Sequence, residues 1–130
     1  MNKRERDKQF ELLWKKAKAA GLNAGRNAQV TPMVIGQHAN PLDDSSEIKA
    51  AWVIPDGPCG FAWITIRPAN SSFANWLKRQ GLGIKGYYGG LEVSIHEHGQ
   101  SITRKEAHAH AMAKVLREAG INVTVGSRLD

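Results

Sequence analysis

The stretch from Gly60 to Lys78 constrains this chain more than any other, because it writes a strand, a stop and a helix with no spacer between them. In Gly60-Phe-Ala-Trp-Ile-Thr-Ile-Arg67, residues Phe61, Trp63 and Thr65 fall on one side of an extended backbone and Ala62, Ile64 and Ile66 on the other. Apolar character on both sides is the mark of a strand covered twice, which predicts a central strand with both faces packed. Pro68 removes a ladder donor and holds Arg67 extended. Asn70, Ser71 and Ser72 then offer side-chain oxygens to the bare amides of a helix that buries Phe73, Trp76 and Leu77.

The remaining elements are read outward from this unit. Phe10, Leu13, Trp14 and Ala17 recur at helical spacing, which predicts an amphipathic helix over residues 3–20. Ala20-Gly21-Leu22, Gln80-Gly81-Leu82 and Ala119-Gly120-Ile121 share one pattern, a glycine past the last turn and an apolar residue folding back, so each is expected to end a helix. A weak strand is expected at Met33–Ile35, an exposed acidic turn at 40–46, and a strand at 49–54 joined through Pro55–Gly60 to the central strand as an antiparallel hairpin. Five glycines between Gly81 and Gly90 predict a permissive, mobile loop. Leu91, Val93 and Ile95 alternate with Glu92, Ser94 and His96 as a half-wet strand, Thr103-Arg-Lys-Glu106 reads as a capping box opening the last helix, and residues 121–125 close the chain as another half-wet strand. The fold class is therefore α+β, one domain over residues 1–130. A single-layer mixed sheet of four or five strands is packed by three helices, in the order α-β-β-β-α-β-α-β. The basic first helix precedes an α/β body over residues 31–130. Two strand-helix-strand units with right-handed crossovers would set their strands parallel.

Charge narrows the function classes. The net charge is +6, and it is concentrated: seven Lys/Arg against three acids in residues 1–18, and four against none in residues 61–90. Such regions attract phosphate backbones or acidic proteins. Lys15 and Lys16 on the first helix, with Lys78, Arg79, Lys85, Tyr87 and Tyr88 further on, combine cations with aromatic faces and form the expected nucleic-acid surface. A lone cysteine, Cys59, and a charged amino terminus without an apolar run place the chain in a reducing cytoplasm, with no membrane association expected.

Parallel strands would bring three loops to one sheet edge. An anion site of Arg67, Asn70, Ser71, Ser72, Ser101 and Arg128 is expected there, weighed against plain helix capping by the hydroxyls. His96 and His98, two apart on a strand, share a side and form a weak metal pair that would need a further ligand from His38, Glu97 or a helix histidine; no cofactor is expected. No Walker loop, dinucleotide fingerprint, zinc knuckle or nucleophile elbow is present.

The run from Gly60 to Lys78, then Tyr87-Tyr-Gly-Gly90, Lys105-Glu-Ala-His-Ala-His-Ala-Met and the closing Ser127-Arg-Leu-Asp130, resembles small proteins of bacteriophages and mobile elements over roughly the last 75 residues. The resemblance implies an accessory protein acting in a host cytoplasm; it carries over no activity and no site. The leading expectation is thus a small basic, non-enzymatic nucleic-acid-binding protein. The alternatives are a protein-binding inhibitor or modulator of a host defence or nucleic-acid enzyme, partnered by an acidic host protein, and a phosphate- or anion-handling enzyme using the loops at 67–72, 96–103 and 127–128.

Overall fold

The computed structural model describes residues 1–38 and 48–130, so the acidic turn expected at 40–46 lies outside the described residues. Its elements are α1 (Lys3–Arg26), β1 (Met33–His38), β2 (Ile48–Ile54), β3 (Gly60–Ile66), α2 (Ser72–Arg79), β4 (Ile84–Lys85), β5 (Leu91–Ser94), α3 (Ile102–Glu118) and β6 (Val123–Leu129). Over the described residues the chain is an α+β fold with three helices. Its strands form two sheets, a β1–β2 pair and a four-stranded sheet in the order β4-β5-β3-β6.

β3 is central, as its sequence requires, but its neighbours run against it. β5 pairs with it antiparallel, Ile64 opposite Val93, and β6 does so on the other edge, Ile64 opposite Val125. The expected parallel pairing fails for a topological reason. The strand that returns from α2 is β4, inside the segment read as a loop, so the first unit is β3-α2-β4 rather than β3-α2-β5; β3 runs with β4 and β5 with β6, yet each unit skips one strand position and the other fills the gap. From β3 onward this is the split β-α-β, or ferredoxin-like, arrangement.

The expected hairpin between residues 49–54 and β3 does not form either. A strand has two edges, and β5 and β6 occupy both edges of β3, so β2 pairs with β1 instead, Val34 opposite Val53. The segment before β3 is tied to the far loop and to the chain end: Cys59 bridges to Ser101, Gly60 donates to the Gln100 carbonyl at 2.9 Å, and Asp130 donates to the Cys59 carbonyl at 3.1 Å.

Two of the three glycine-terminated helices end as read. At α2, Leu82 donates to the Leu77 carbonyl and Gly81 to that of Lys78; at α3, Ile121 donates to Leu116 and Gly120 to Arg117, with both glycines at positive φ. The third does not. α1 runs through Gly21 and on to Arg26, because Gly21 and Gly25 serve packing rather than termination. A Cβ at position 21 would sit 2.5 Å from the His108 ring, and one at position 25 would sit 2.1 Å from the His98 ring. α1 is closed by Asn27, whose backbone and side-chain amides donate to the Asn23 carbonyl, and by Arg104 of α3, whose guanidinium donates to the carbonyls of Gly25 (3.0 Å) and Arg26 (2.8 Å). The glycine-rich segment is also more ordered in its bonding than a permissive loop. Gly86 donates to Gly90 and Gly89 to Gly86, closing a hairpin between β4 and β5 with Tyr87 and Tyr88 at its tip.

In a free helix, Gly→Ala would add up to about 1 kcal/mol of stability. Here the added methyl meets a ring held in place, so Gly21→Ala and Gly25→Ala are each expected to lower stability, by about 1–3 kcal/mol, as read by chemical denaturation.

Candidate nucleic-acid interface

The buried side of β3 is Ala62, Ile64 and Ile66, each at 1% exposure or less, and all three helices pack on that side. The other side carries Phe61, Trp63, Thr65 and Arg67, and no described helix covers it. Sequence pattern predicted a strand covered twice; the structure covers it once. Register explains why this side has polar neighbours, although Thr65 at its middle is itself buried at 4% exposure. Thr65 stands between Glu92 and Thr124, Trp63 between Ser94 and Gly126, and Phe61 beside Arg128, so the apolar residues of β3 sit in a polar row.

The result is a shallow depression of about 690 Å³ on the uncovered sheet face, flanked by the β4–β5 hairpin tip. Its aromatic members differ in support. The Trp63 indole packs against Gly126, where a Cβ would fall 2.4 Å from the ring, so the missing side chain is what makes room for it. Phe61 is 38% exposed and has the Arg128 guanidinium 5.0 Å from its ring centre, with Lys105 at 5.6 Å. Tyr87 and Tyr88 are 89% and 85% exposed and meet edge to face at 4.8 Å. Gly90, at positive φ, closes the hairpin against Thr65 and Arg67, where any side chain would collide. Arg67 itself is steadied by donating to the Thr124 hydroxyl at 2.9 Å.

The expected nucleic-acid residues are not one patch. Tyr87 and Tyr88 line this face, but Lys15 and Lys16 project from α1 on the helical side. Lys15 is paired with Glu11 at 3.3 Å and Arg79 with Asp7 at 3.0 Å. Lys78 and Lys85 line a separate depression beside Gly89 and Gly90. The expected anion site is split as well, because an antiparallel sheet sends its loops to opposite ends. Arg67, Asn70, Ser71 and Ser72 follow the end of β3, whereas Ser101 and Arg128 lie near its beginning. The hydroxyls act as caps: Ser71 accepts from the Ala74 amide and Ser101 from that of Arg104, each at 3.3 Å. Ser101, not Thr103, is therefore the N-cap of α3, and with Arg104 at the third helical position the expected capping box does not form.

The sequence reading did not assign Phe61, Trp63 and Glu92 to a site. A signal was available in the alternation of Asn122, Thr124, Gly126 and Arg128, which, paired with that of Glu92 and Ser94, marks the shared face as polar.

His98 and His108 form a second cluster. His98, at φ 71°, turns its Nε2 to within 2.9 Å of His108 Nδ1, and Glu97 Oε2 lies 3.9 Å from the outer nitrogen of His108. His96 does not join them, and among the described residues no three His, Cys, Asp or Glu side chains are grouped to hold a metal ion. Burial pushes both imidazoles below their ordinary 6.5. Glu97 opposes this for both, Arg104, Arg26 and Lys105 add to it at His98, and His98 adds to it at His108. The contact also has room for one proton, since two imidazolium N–H groups would point at each other.

Comparison with protein-family models, with curated proteins and with solved structures gives no significant match to this chain at any of the three levels. No helix among the described residues is long and apolar enough to cross a membrane.

A histidine whose folded pKa lies below its unfolded value takes up protons on unfolding, so stability is full above about pH 6.5 and declines as the pH falls toward the folded values. Lowering the pH from about 7.5 to about 5 should reduce Tm by roughly a few degrees. A His98→Gln/His108→Gln variant, although less stable at neutral pH, should lose much of that acid dependence.

Proposed function

We propose that this is a small nucleic-acid-binding protein without catalytic activity, and that the uncovered face of the four-stranded sheet is its contact surface. The observation that carries the reading is the placement of three exposed aromatic rings, the half-buried Trp63 and two arginines along one shallow face. Exposed aromatic surface is costly to leave in water unless it has a use, and rings beside arginines fit the flat bases and charged phosphates of nucleic acid. The backbone of Arg67, just past β3, and that of Phe61, the pairing partner of Arg128, are six residues apart, or about 20 Å at a strand's rise, with the Arg67 side chain leaning back to Thr124. Basic residues elsewhere add a general attraction, since the net charge of +6 favours approach to any polyanion.

Arg67 and Arg128 now take the role first given to Lys78, Arg79 and Lys85. Replacing Arg67 and Arg128 together with Ala should weaken binding to random-sequence DNA or RNA and flatten its dependence on the logarithm of salt concentration by about two contacts. The Lys78→Ala/Arg79→Ala/Lys85→Ala variant should bind more nearly like the parent and unfold at almost the same temperature. Among the described residues the ion pair it removes, between Arg79 and Asp7, is of the surface kind worth about 1 kcal/mol or less. Binding that survives the arginine pair and disappears with the triple change would move the contact surface to the β4 side.

A further inference from the structure

Resting on that reading of the same face, we infer that its ligand is a single strand with unpaired bases, held with the bases over Trp63 and the tyrosine tip and with phosphates toward Arg67 and Arg128. Three observations exclude a duplex as the favoured ligand. The first is width. Four strands spaced about 4.8 Å apart make a surface roughly 14 Å across before side chains are added, wider than the roughly 12 Å major groove, which admits a helix or a two-stranded ribbon.

The second is charge. A duplex meets a flat surface through its phosphates, and this face offers them two cations at its ends with a carboxylate, Glu92, on β5 between. Among the described residues Glu92 has no ion-pair partner, so its charge is not cancelled by a neighbouring side chain. It repels a phosphate chain laid along the middle of the sheet. It is also an acceptor for the exocyclic amine of a base, so bases in the middle and phosphates at the ends suit the charge pattern.

The third is the form of the aromatic surface. A duplex hides the faces of its bases, and ring faces on a protein gain nothing from it. Trp63 is partly exposed on this face, packed against Gly126, and Tyr87 and Tyr88 extend beyond the sheet with 89% and 85% of their surface accessible. Each base stacked on such a ring contributes about 5- to 150-fold in affinity.

The test is fluorescence anisotropy with end-labelled single-stranded DNA and RNA of about 12 nucleotides, and the matching duplexes, at about 50 mM salt. Single strands should bind at least about tenfold more tightly than duplex, and Trp63→Ala should reduce single-strand affinity by about 5- to 150-fold. Tyr87→Ala/Tyr88→Ala should do the same, and because those rings are almost wholly exposed this variant keeps the test sound if Trp63→Ala loosens the sheet. Equal affinity for single strands and duplex would overturn the inference and leave the nucleic-acid reading standing. So would a single-strand preference that neither variant alters. No binding to any probe would overturn both.

Discussion

Burial of one side of β3 decides the rest of the molecule. Ala62, Ile64 and Ile66 are taken out of water by α3 and by the aromatic cluster of α1 and α2, at about 1.5–3 kcal/mol for each isoleucine. In that cluster Phe10 meets Phe73 edge to face at 5.2 Å and Phe73 stacks on Trp76 at 5.9 Å, joining the first helix to the second. With three helices committed to that side, no described helix is left for the opposite one. The uncovered face is thus a consequence of how the helices are used, and its rings are held by the sheet rather than by a lid.

α1 depends on two small residues. Gly21 and Gly25 remove the side chains that would keep it from the His98–His108 pair, and Arg104 then reaches the carbonyls at its end. The same guanidinium pairs with Asp56 at 3.1 Å, so one side chain links the last helix, the end of the first and the turn before β3. His108 is buried in the seam and His98 partly so against it, which is why a change in their protonation bears on helix packing and not only on surface charge.

Cation count is a poor guide to where this protein would hold a polyanion. The first helix carries the densest positive charge, yet its acids are interleaved with its bases: Lys15 is matched by Glu11, and Asp7 reaches across to Arg79. Arg67 and Arg128 are fewer, but they share a surface with accessible rings, and Arg67 is held by Thr124. Location relative to flat apolar surface matters more here than number.

Most of the elements were legible in the amino-acid order. The central strand, the stop at Pro68, the helix behind Ser71, the half-wet strands and the turns at Gly81 and Gly120 follow from local sterics and from period-two or period-3.6 patterning, which act over a few residues. The uncovered face was not legible from β3 alone, because Phe61, Trp63 and Thr65 look like core until Glu92 and Thr124 are known to stand beside Thr65. Likewise Gly21 reads as a helix end until a ring from the far end of the chain is found against it. Sequence by itself determined most of the helix and strand segments, though not β4 or the last turns of α1, and most of the residues that want burial. Which strands are neighbours, which side the helices take, and hence which aromatic rings remain in water, were decided only by tertiary structure, since these depend on contacts between residues far apart in the chain that no local pattern encodes.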